Sequence, residues 1–138
     1  GPTPKDRLPL DEVLSRADIV SLHCPLTPQT KSLIDGRALA LMKSSAFLIN
    51  TARGALIDAE ALIRALREKR LAGAAMDVLT QEPPPADHPI IKAAKELDNL
   101  LATPHCAWTA REARQRLMDE VVENVLAFTT GRDRNRVA

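Results

Sequence analysis

Three side chains with complementary chemistry each follow a different short apolar run in this sequence, namely Arg53, Glu82 and His105. A guanidinium offers a planar fork of donors that matches a carboxylate. An imidazole can give or take a proton near neutral pH, and a neighbouring carboxylate can keep it protonated. Together these groups could hold an acidic substrate and move a proton.

Each of these residues also has a purely structural interpretation. Arg53 could be a surface arginine, Glu82 a solvated loop carboxylate, and His105 a hydrogen-bonded loop histidine. Asp77 could accept a hydrogen bond from a ligand amide or cap the turn that follows its strand. Their combination favours a site, because polar groups at the ends of successive strands are how an open α/β sheet builds one.

The remaining histidines and the cysteines are weaker candidates. His23 is a possible proton carrier, and we expect His88, which lies among prolines, to face solvent. Neither Cys24 nor Cys106 has an evident base partner, which argues against a nucleophilic role. Two cysteines also fit neither a disulfide framework nor a zinc site, so we predict free thiols and no metal.

The elements that would position these side chains alternate between apolar runs and helical patterns. We predict strands over residues 19–24, 46–51, 73–78 and 99–103, the second with the nearly continuous apolar character of a strand buried on both faces. We predict helices over residues 10–17, 35–42, 58–70 and 109–130, with Asp35 and Asp58 as caps, Gly131 as the final stop and a stiff loop over 83–89. This alternation indicates an α/β fold with a parallel sheet.

Composition limits the class of protein. The chain has 138 residues, 45% of them hydrophobic and 2% aromatic, which is enough for one domain with an aliphatic core. Its 19 basic and 18 acidic residues give no reason to expect nucleic acid or a membrane as partner. With neither a membrane span nor an apolar signal region in sight, we expect a cytoplasmic protein. No phosphate-binding Gly-x-Gly-x-x-Gly occurs in these residues.

Four ordered motifs together resemble the D-isomer-specific 2-hydroxyacid dehydrogenases. They are residues 17–27 (ADIVSLHCPLT), residues 49–54 (INTARG), residues 75–83 from AMDV to EP, and Thr103-Pro104-His105. The resemblance runs from about residue 10 to residue 137. Residues 82–87 and 105–108 are most similar to the glycerate dehydrogenase/hydroxypyruvate reductase branch.

The resemblance implies hydride transfer between NAD or NADP, with NAD slightly favoured, and a small 2-oxo acid such as hydroxypyruvate or glyoxylate. By it, Arg53 binds the substrate carboxylate, His105 gives a proton to the ketone oxygen, and Glu82 holds the imidazole. The cofactor-binding residues that it implies are Cys24, Thr51, Ala52, Arg53, Asp77, His105, Cys106, Ala107 and Trp108. The alternatives are a non-catalytic dinucleotide-binding co-regulator and a structural remnant, and we expect the 138-residue chain alone to be inactive.

The resemblance also implies a partial Rossmann fold that lacks its first two strands. Residues 1–9 would be a linker, residues 10–108 the C-terminal part of the NAD(P)-binding domain, and residues 109–138 a helix and tail leading to a substrate domain. In the Rossmann order 3-2-1-4-5-6, the four predicted strands would be strands 3, 4, 5 and 6. Strands 2 and 1 normally lie between strands 3 and 4, so their absence leaves a gap of roughly 10 Å or more between the first two predicted strands. We expect one of three outcomes. The first two predicted strands pair directly with each other, their edges are buried against a second copy in a homodimer, or the rest of the enzyme exists outside this chain.

Overall fold

The computed structural model describes residues 7–136, and these form two compact units that divide between His105 and Cys106. Most of the predicted linker lies outside the described residues, and residues 7–9 precede the first helix without regular structure. The division falls close to the predicted end of the NAD(P)-binding part at residue 108, which stays a prediction.

The first unit contains a four-stranded, wholly parallel sheet in the order β1-β2-β3-β4. Each strand forms where an apolar run was predicted, and each is shorter than its run. The α/β fold class is therefore confirmed. The strands are β1 (Ile19–Leu22), β2 (Phe47–Asn50), β3 (Gly73–Met76) and β4 (Leu100–Ala102).

Strand β1 pairs directly with β2, from Ile19 beside Phe47 to Leu22 beside Asn50. This is the first of the three expected outcomes. Strand β2 pairs with β3 on its other edge, so both of its edges are occupied. Local patterns could not show this, because the neighbour of a parallel strand is decided by where the crossover connection returns the chain.

Residues 7–136 contain five α-helices, of which the last belongs to the second unit: α1 (Leu10–Arg16), α2 (Gly36–Leu41), α3 (Ala59–Arg67), α4 (Pro89–Glu96) and α5 (Arg111–Thr129). Two predicted caps are confirmed. Asp35 accepts a hydrogen bond from the amide of Ala38 at 2.8 Å, and Asp58 accepts one from Ala61 at 3.0 Å. These bonds satisfy amides that have no partner within the helix.

Helix α4 was not predicted, because the prolines before it indicated only a loop. Pro89 occupies the first turn, where its missing amide costs nothing. His88 is the N-cap, and its Nδ1 accepts from the amide of Ile90 at 3.3 Å. His88 is 6% exposed, so its expected exposure to solvent is wrong. Its Nε2 lies 3.1 Å from the hydroxyl of Thr80, which gives the buried ring a second polar partner.

One face of the sheet packs into the aliphatic core, and the other is open. The core joins strand residues such as Leu48 and Leu100 to helix residues such as Leu62. On the other face Ile19 and Phe47, which are register partners, are 62% and 50% exposed. The expectation that β2 is buried on both faces is therefore wrong for Phe47, whose ring lies beside Gly73 of the neighbouring strand and is half exposed.

The second unit consists mainly of α5. Leu117, Val121 and Val125 form an apolar stripe on this helix, and all three are exposed. Gly131 follows the helix with φ of 70°, a conformation that glycine adopts without the steric cost of a side chain. Across residues 7–136, no helix has the length and apolar character needed to cross a bilayer.

Candidate active site

The loop after β2 is shaped by a buried asparagine. Asn50 is fully buried, and its side-chain oxygen accepts from the amide of Ala52 at 3.0 Å while its side-chain nitrogen donates to the carbonyl of Arg53 at 2.9 Å. The exposed Arg53 guanidinium donates in turn to the carbonyl of Ala52 at 2.6 Å. The backbone that carries Arg53 is therefore fixed from inside the protein.

The loop after β3 folds Glu82 back onto its own backbone. The Oε1 atom of Glu82 accepts a hydrogen bond from the amide of Leu79 at 2.7 Å. The peptide bond between Glu82 and Pro83 is cis. One carboxylate oxygen is thereby occupied locally, and the other, Oε2, is directed toward the next strand's loop.

The loop after β4 makes a tight turn that presents His105. The amide of His105 donates to the carbonyl of Thr103 at 3.0 Å, and His105 has φ of 53°. Left-handed backbone is unfavourable for a non-glycine residue, and such residues concentrate at functional sites. The Thr103 hydroxyl donates to Oδ1 of Asp77 at 2.5 Å, which ties this loop to the end of β3.

Glu82 and His105 are in direct contact, as the family resemblance implies. Nδ1 of His105 lies 2.6 Å from Oε2 of Glu82. The pKa of Glu82 is lowered, first by the hydrogen bond from Leu79, then by the hydrogen bond and charge of His105, with a smaller contribution from the charge of Arg53. The carboxylate is thus ionised and can orient the imidazole.

A pocket of about 410 Å³ opens beside this pair. Its polar lining comes from Asp77, Glu82, Thr103 and His105, all of which follow strands β3 and β4. The other walls are mainly apolar, which is typical of a site for a small organic molecule. They are formed by Leu79, Pro83, Pro84, Ile91, Ala102 and Pro104.

A second pocket of about 680 Å³ lies at the ends of β1 and β2 and gathers four of the predicted cofactor-binding residues: Cys24, Thr51, Ala52 and Arg53. His23 also lines it, and its Nε2 lies 2.8 Å from the hydroxyl of Ser21. The predicted site residues of the first unit therefore form two groups, one at each pocket. The remaining three, Cys106, Ala107 and Trp108, belong to the second unit and stay predictions.

Sequence reasoning missed the residues that hold this site in place. It assigned no role to Asn50 or to the hydroxyl of Thr103, although both are polar residues at the end of an apolar run. Their position at the end of an apolar run could have identified them, since a polar side chain buried there needs hydrogen-bond partners.

Comparison with known proteins decides the family. Residues 3–107 match the model for "D-isomer specific 2-hydroxyacid dehydrogenase, NAD binding domain". The chain belongs to this family. Its cofactor class is accordingly NAD(P), and the resemblance drawn from the four sequence motifs is confirmed.

Relatives and solved structures match nearly the whole chain. A glycerate dehydrogenase of Methylorubrum extorquens is 47% identical over 97% of the chain and 42% of its own length. The NAD-complexed 2-hydroxyacid dehydrogenase of Lactobacillus delbrueckii ssp. bulgaricus superposes with a TM-score of 0.82 at 35% identity, over 95% of this chain and 43% of its own. An acyclic imino acid reductase in complex with NADPH and D-Arg has a TM-score of 0.81 at 37% identity, over 95% of this chain and 40% of its own. The chain thus spans about two fifths of the length of these three proteins.

Proposed function

We propose that this chain supplies the acid, the carboxylate-binding group and part of the cofactor site of an NAD(P)-dependent D-2-hydroxyacid dehydrogenase. The observation that carries the proposal is the Glu82–His105 pair at the wall of a largely apolar pocket. The family supports the reaction class, and the geometry supports the roles of the individual residues.

His105 acts as the general acid in this proposal. Glu82 holds Nδ1, so Nε2 is the atom that gives a proton to the ketone oxygen as the substrate is reduced. The ionised Glu82 stabilises the imidazolium and fixes the plane of the ring. In the reverse direction the same nitrogen takes the proton from the 2-hydroxyl group.

Arg53 binds the substrate carboxylate. Its backbone is held by Asn50, and its guanidinium is exposed at the end of β2, one strand away from the loop of Glu82. A planar fork of donors can meet both carboxylate oxygens and thereby orient the neighbouring ketone. The positive charge of Arg53 also favours ionised Glu82.

The described residues fit a nicotinamide cofactor, which supplies the hydride when bound. Asp77 is largely buried at the pocket of Glu82 and His105, where its carboxylate can accept from the amide of the nicotinamide. Cys24 lines the other pocket and would lie along the adenosine part, while Thr51, Ala52 and Arg53 of the same pocket would also line the cofactor. Cys106, Ala107 and Trp108 would complete the wall near the nicotinamide. Between NAD and NADP, we favour NAD.

The proposed substrates are hydroxypyruvate and glyoxylate. Reduction of hydroxypyruvate gives glycerate, the 2-hydroxy acid in the name of the Methylorubrum relative. Both compounds combine a carboxylate for Arg53 with an adjacent carbonyl oxygen for His105. We also keep the proposals of a cytoplasmic homodimer that binds neither nucleic acid nor membrane, consistent with balanced charge and with the exposed apolar face around Phe47.

Titration of NADH into the purified chain tests the proposal, followed by nicotinamide fluorescence. We expect saturable binding with Kd of about 1 mM or tighter, weakened by Asp77→Ala. Reduction of hydroxypyruvate by NADH is then measured for the chain alone, which we expect to be inactive, and for any longer natural form. Binding without turnover in every form would favour the alternative, a non-catalytic dinucleotide-binding module, and absence of both would contradict the proposal.

A further inference from the structure

Gly54 lies directly against the backbone of a different loop. A methyl group added at Gly54 would overlap the carbonyl group of Leu79 and would lie 2.5 Å from the nitrogen of Thr80. Gly54 is itself buried. The peptide that joins Leu79 to Thr80 therefore packs directly against the α-carbon of Gly54. Every other residue type has a β-carbon, for which this contact leaves no room.

Both sides of this contact lead to proposed site residues. On one side, Gly54 directly follows Arg53, whose carbonyl is held by the side chain of Asn50. On the other, Leu79 donates its amide hydrogen to Glu82, and Glu82 in turn contacts His105. The backbone contact is thus a physical link between the loop of the guanidinium and the loop of the carboxylate.

We propose that Gly54 is a positioning residue, which seats the Leu79–Thr80 peptide and thereby fixes Glu82 against His105 and sets its separation from Arg53. The role in turnover rests on the proposed function, whereas the mechanical role does not. Because the Leu79 N–H is on the adjoining peptide, displacement of the Leu79–Thr80 peptide would turn that N–H away from Glu82, to which it now donates. The first cause of the lowered pKa of Glu82 would be lost with it.

The test is Gly54→Ala, with Gly36→Ala as the matched control. Gly36 begins helix α2, and a methyl group there would meet Ala61 and Arg64 at 3.9 Å, an ordinary contact. Two NMR readouts report on the proposed link: hydrogen exchange of the Leu79 amide, and the pKa of Glu82 from its side-chain carboxyl carbon. Far-UV circular dichroism and thermal unfolding establish that each variant is folded.

In folded Gly54→Ala we expect the Leu79 amide to exchange about tenfold faster, as for loss of a charge-assisted hydrogen bond. We expect the pKa of Glu82 to rise toward the ordinary glutamate value of about 4.3. Neither quantity should move in Gly36→Ala. Unchanged exchange and an unchanged pKa in a folded Gly54→Ala protein would overturn the proposal.

If Gly54→Ala does not fold, Asn50→Ser replaces it. This change releases the amide of Ala52 and the carbonyl of Arg53 without adding volume, so the loop can lift Gly54 from Leu79. The same two shifts are expected, and their absence overturns the proposal. Where both shifts occur but turnover of hydroxypyruvate by a catalytically active form is unaffected, the mechanical role of Gly54 stands and its role in turnover fails.

Discussion

Thr103 and Asp77 are joined across neighbouring strands by a hydrogen bond of 2.5 Å from the threonine hydroxyl to the aspartate carboxylate. Thr103 begins the turn that presents His105, and Asp77 follows directly on β3. The bond therefore fixes the histidine loop to the interior of the sheet by a side chain as well as by the backbone.

Thr103→Val should lower the free energy of unfolding by about 1 to 2 kcal/mol, because it removes a hydrogen bond to a charged acceptor while keeping the side-chain shape. Urea unfolding followed by circular dichroism measures the change. Thr129→Val is the control, since the hydroxyl of Thr129 bonds an exposed helix carbonyl and its loss should cost much less. Equal costs for the two variants would contradict the importance of the Thr103–Asp77 bond.

His105→Asn should reduce the rate of hydroxypyruvate reduction by about 10²- to 10⁴-fold, the usual contribution of a general acid. Asparagine tolerates the left-handed backbone that position 105 requires, so the fold should be kept. The measurement is steady-state turnover in a form of the protein that reduces hydroxypyruvate. Retention of the wild-type rate by a folded His105→Asn protein would remove the histidine from the mechanism.

Glu82→Gln should lower stability at neutral pH but not in acid. The pKa of Glu82 is lowered in the folded protein, so its stabilisation is present above the ordinary glutamate pKa of about 4.3 and is lost as pH falls through the folded pKa. The difference from wild type should stay below about 1 kcal/mol, because the pair is exposed to solvent. Urea unfolding at neutral pH and below pH ~3 checks it, and a difference that grows on acidification would contradict the assignment.

Arg53→Lys should raise the KM for the 2-oxo acid by about tenfold or more, because an ammonium cannot replace a two-point contact with a carboxylate. The binding of NADH should change less. Steady-state kinetics at fixed NADH measures the effect in a catalytically active form. Arg16→Lys, in an exposed helix pair with Glu12, is the control. An unchanged KM in Arg53→Lys would argue that another group binds the carboxylate.

Phe47→Ser should leave the fold of the chain intact and reduce its self-association, because the ring is half exposed on the open face of the sheet. Sedimentation velocity measures the association. Its neighbour Leu48 is fully buried on the opposite face, so Leu48→Ser should instead lower the free energy of unfolding by about 3 kcal/mol or more. A monomeric wild-type chain over the accessible concentration range would contradict the proposed role of this face.

Local chemistry explains which parts of this structure could be predicted from the sequence. Apolar runs located all four strands, and aspartates at 35 and 58 located two helix starts. Helix α4 could not be found in this way, since histidine is an unusual cap and the prolines before it resemble those of a loop. The pairing of β1 with β2 depends on contacts between distant residues, which periodicity does not encode.

The candidate site follows the same division. Arg53, Glu82 and His105 could be found because their side-chain types and their places after apolar runs suit a shared chemistry. The residues that hold the site in place could not be predicted. The contact of Leu79 with Gly54 is made between backbones, and such a contact has no sequence pattern of its own. The sequence likewise does not distinguish Asn50 from other polar residues, because its role depends on two hydrogen bonds that only the structure shows.

Glu82, His105 and the residues that hold them in place lie in one uninterrupted stretch of chain, from Asn50 to His105, within the first compact unit. Because these residues are contiguous in sequence, they can be transferred to another protein as one segment. A chimaera that grafts this stretch onto a dehydrogenase of the family should import the histidine, its carboxylate and the arginine with their mutual spacing intact. On the proposed function, selectivity among 2-oxo acids would then follow the surrounding protein, while the proton-transfer residues are inherited as a block.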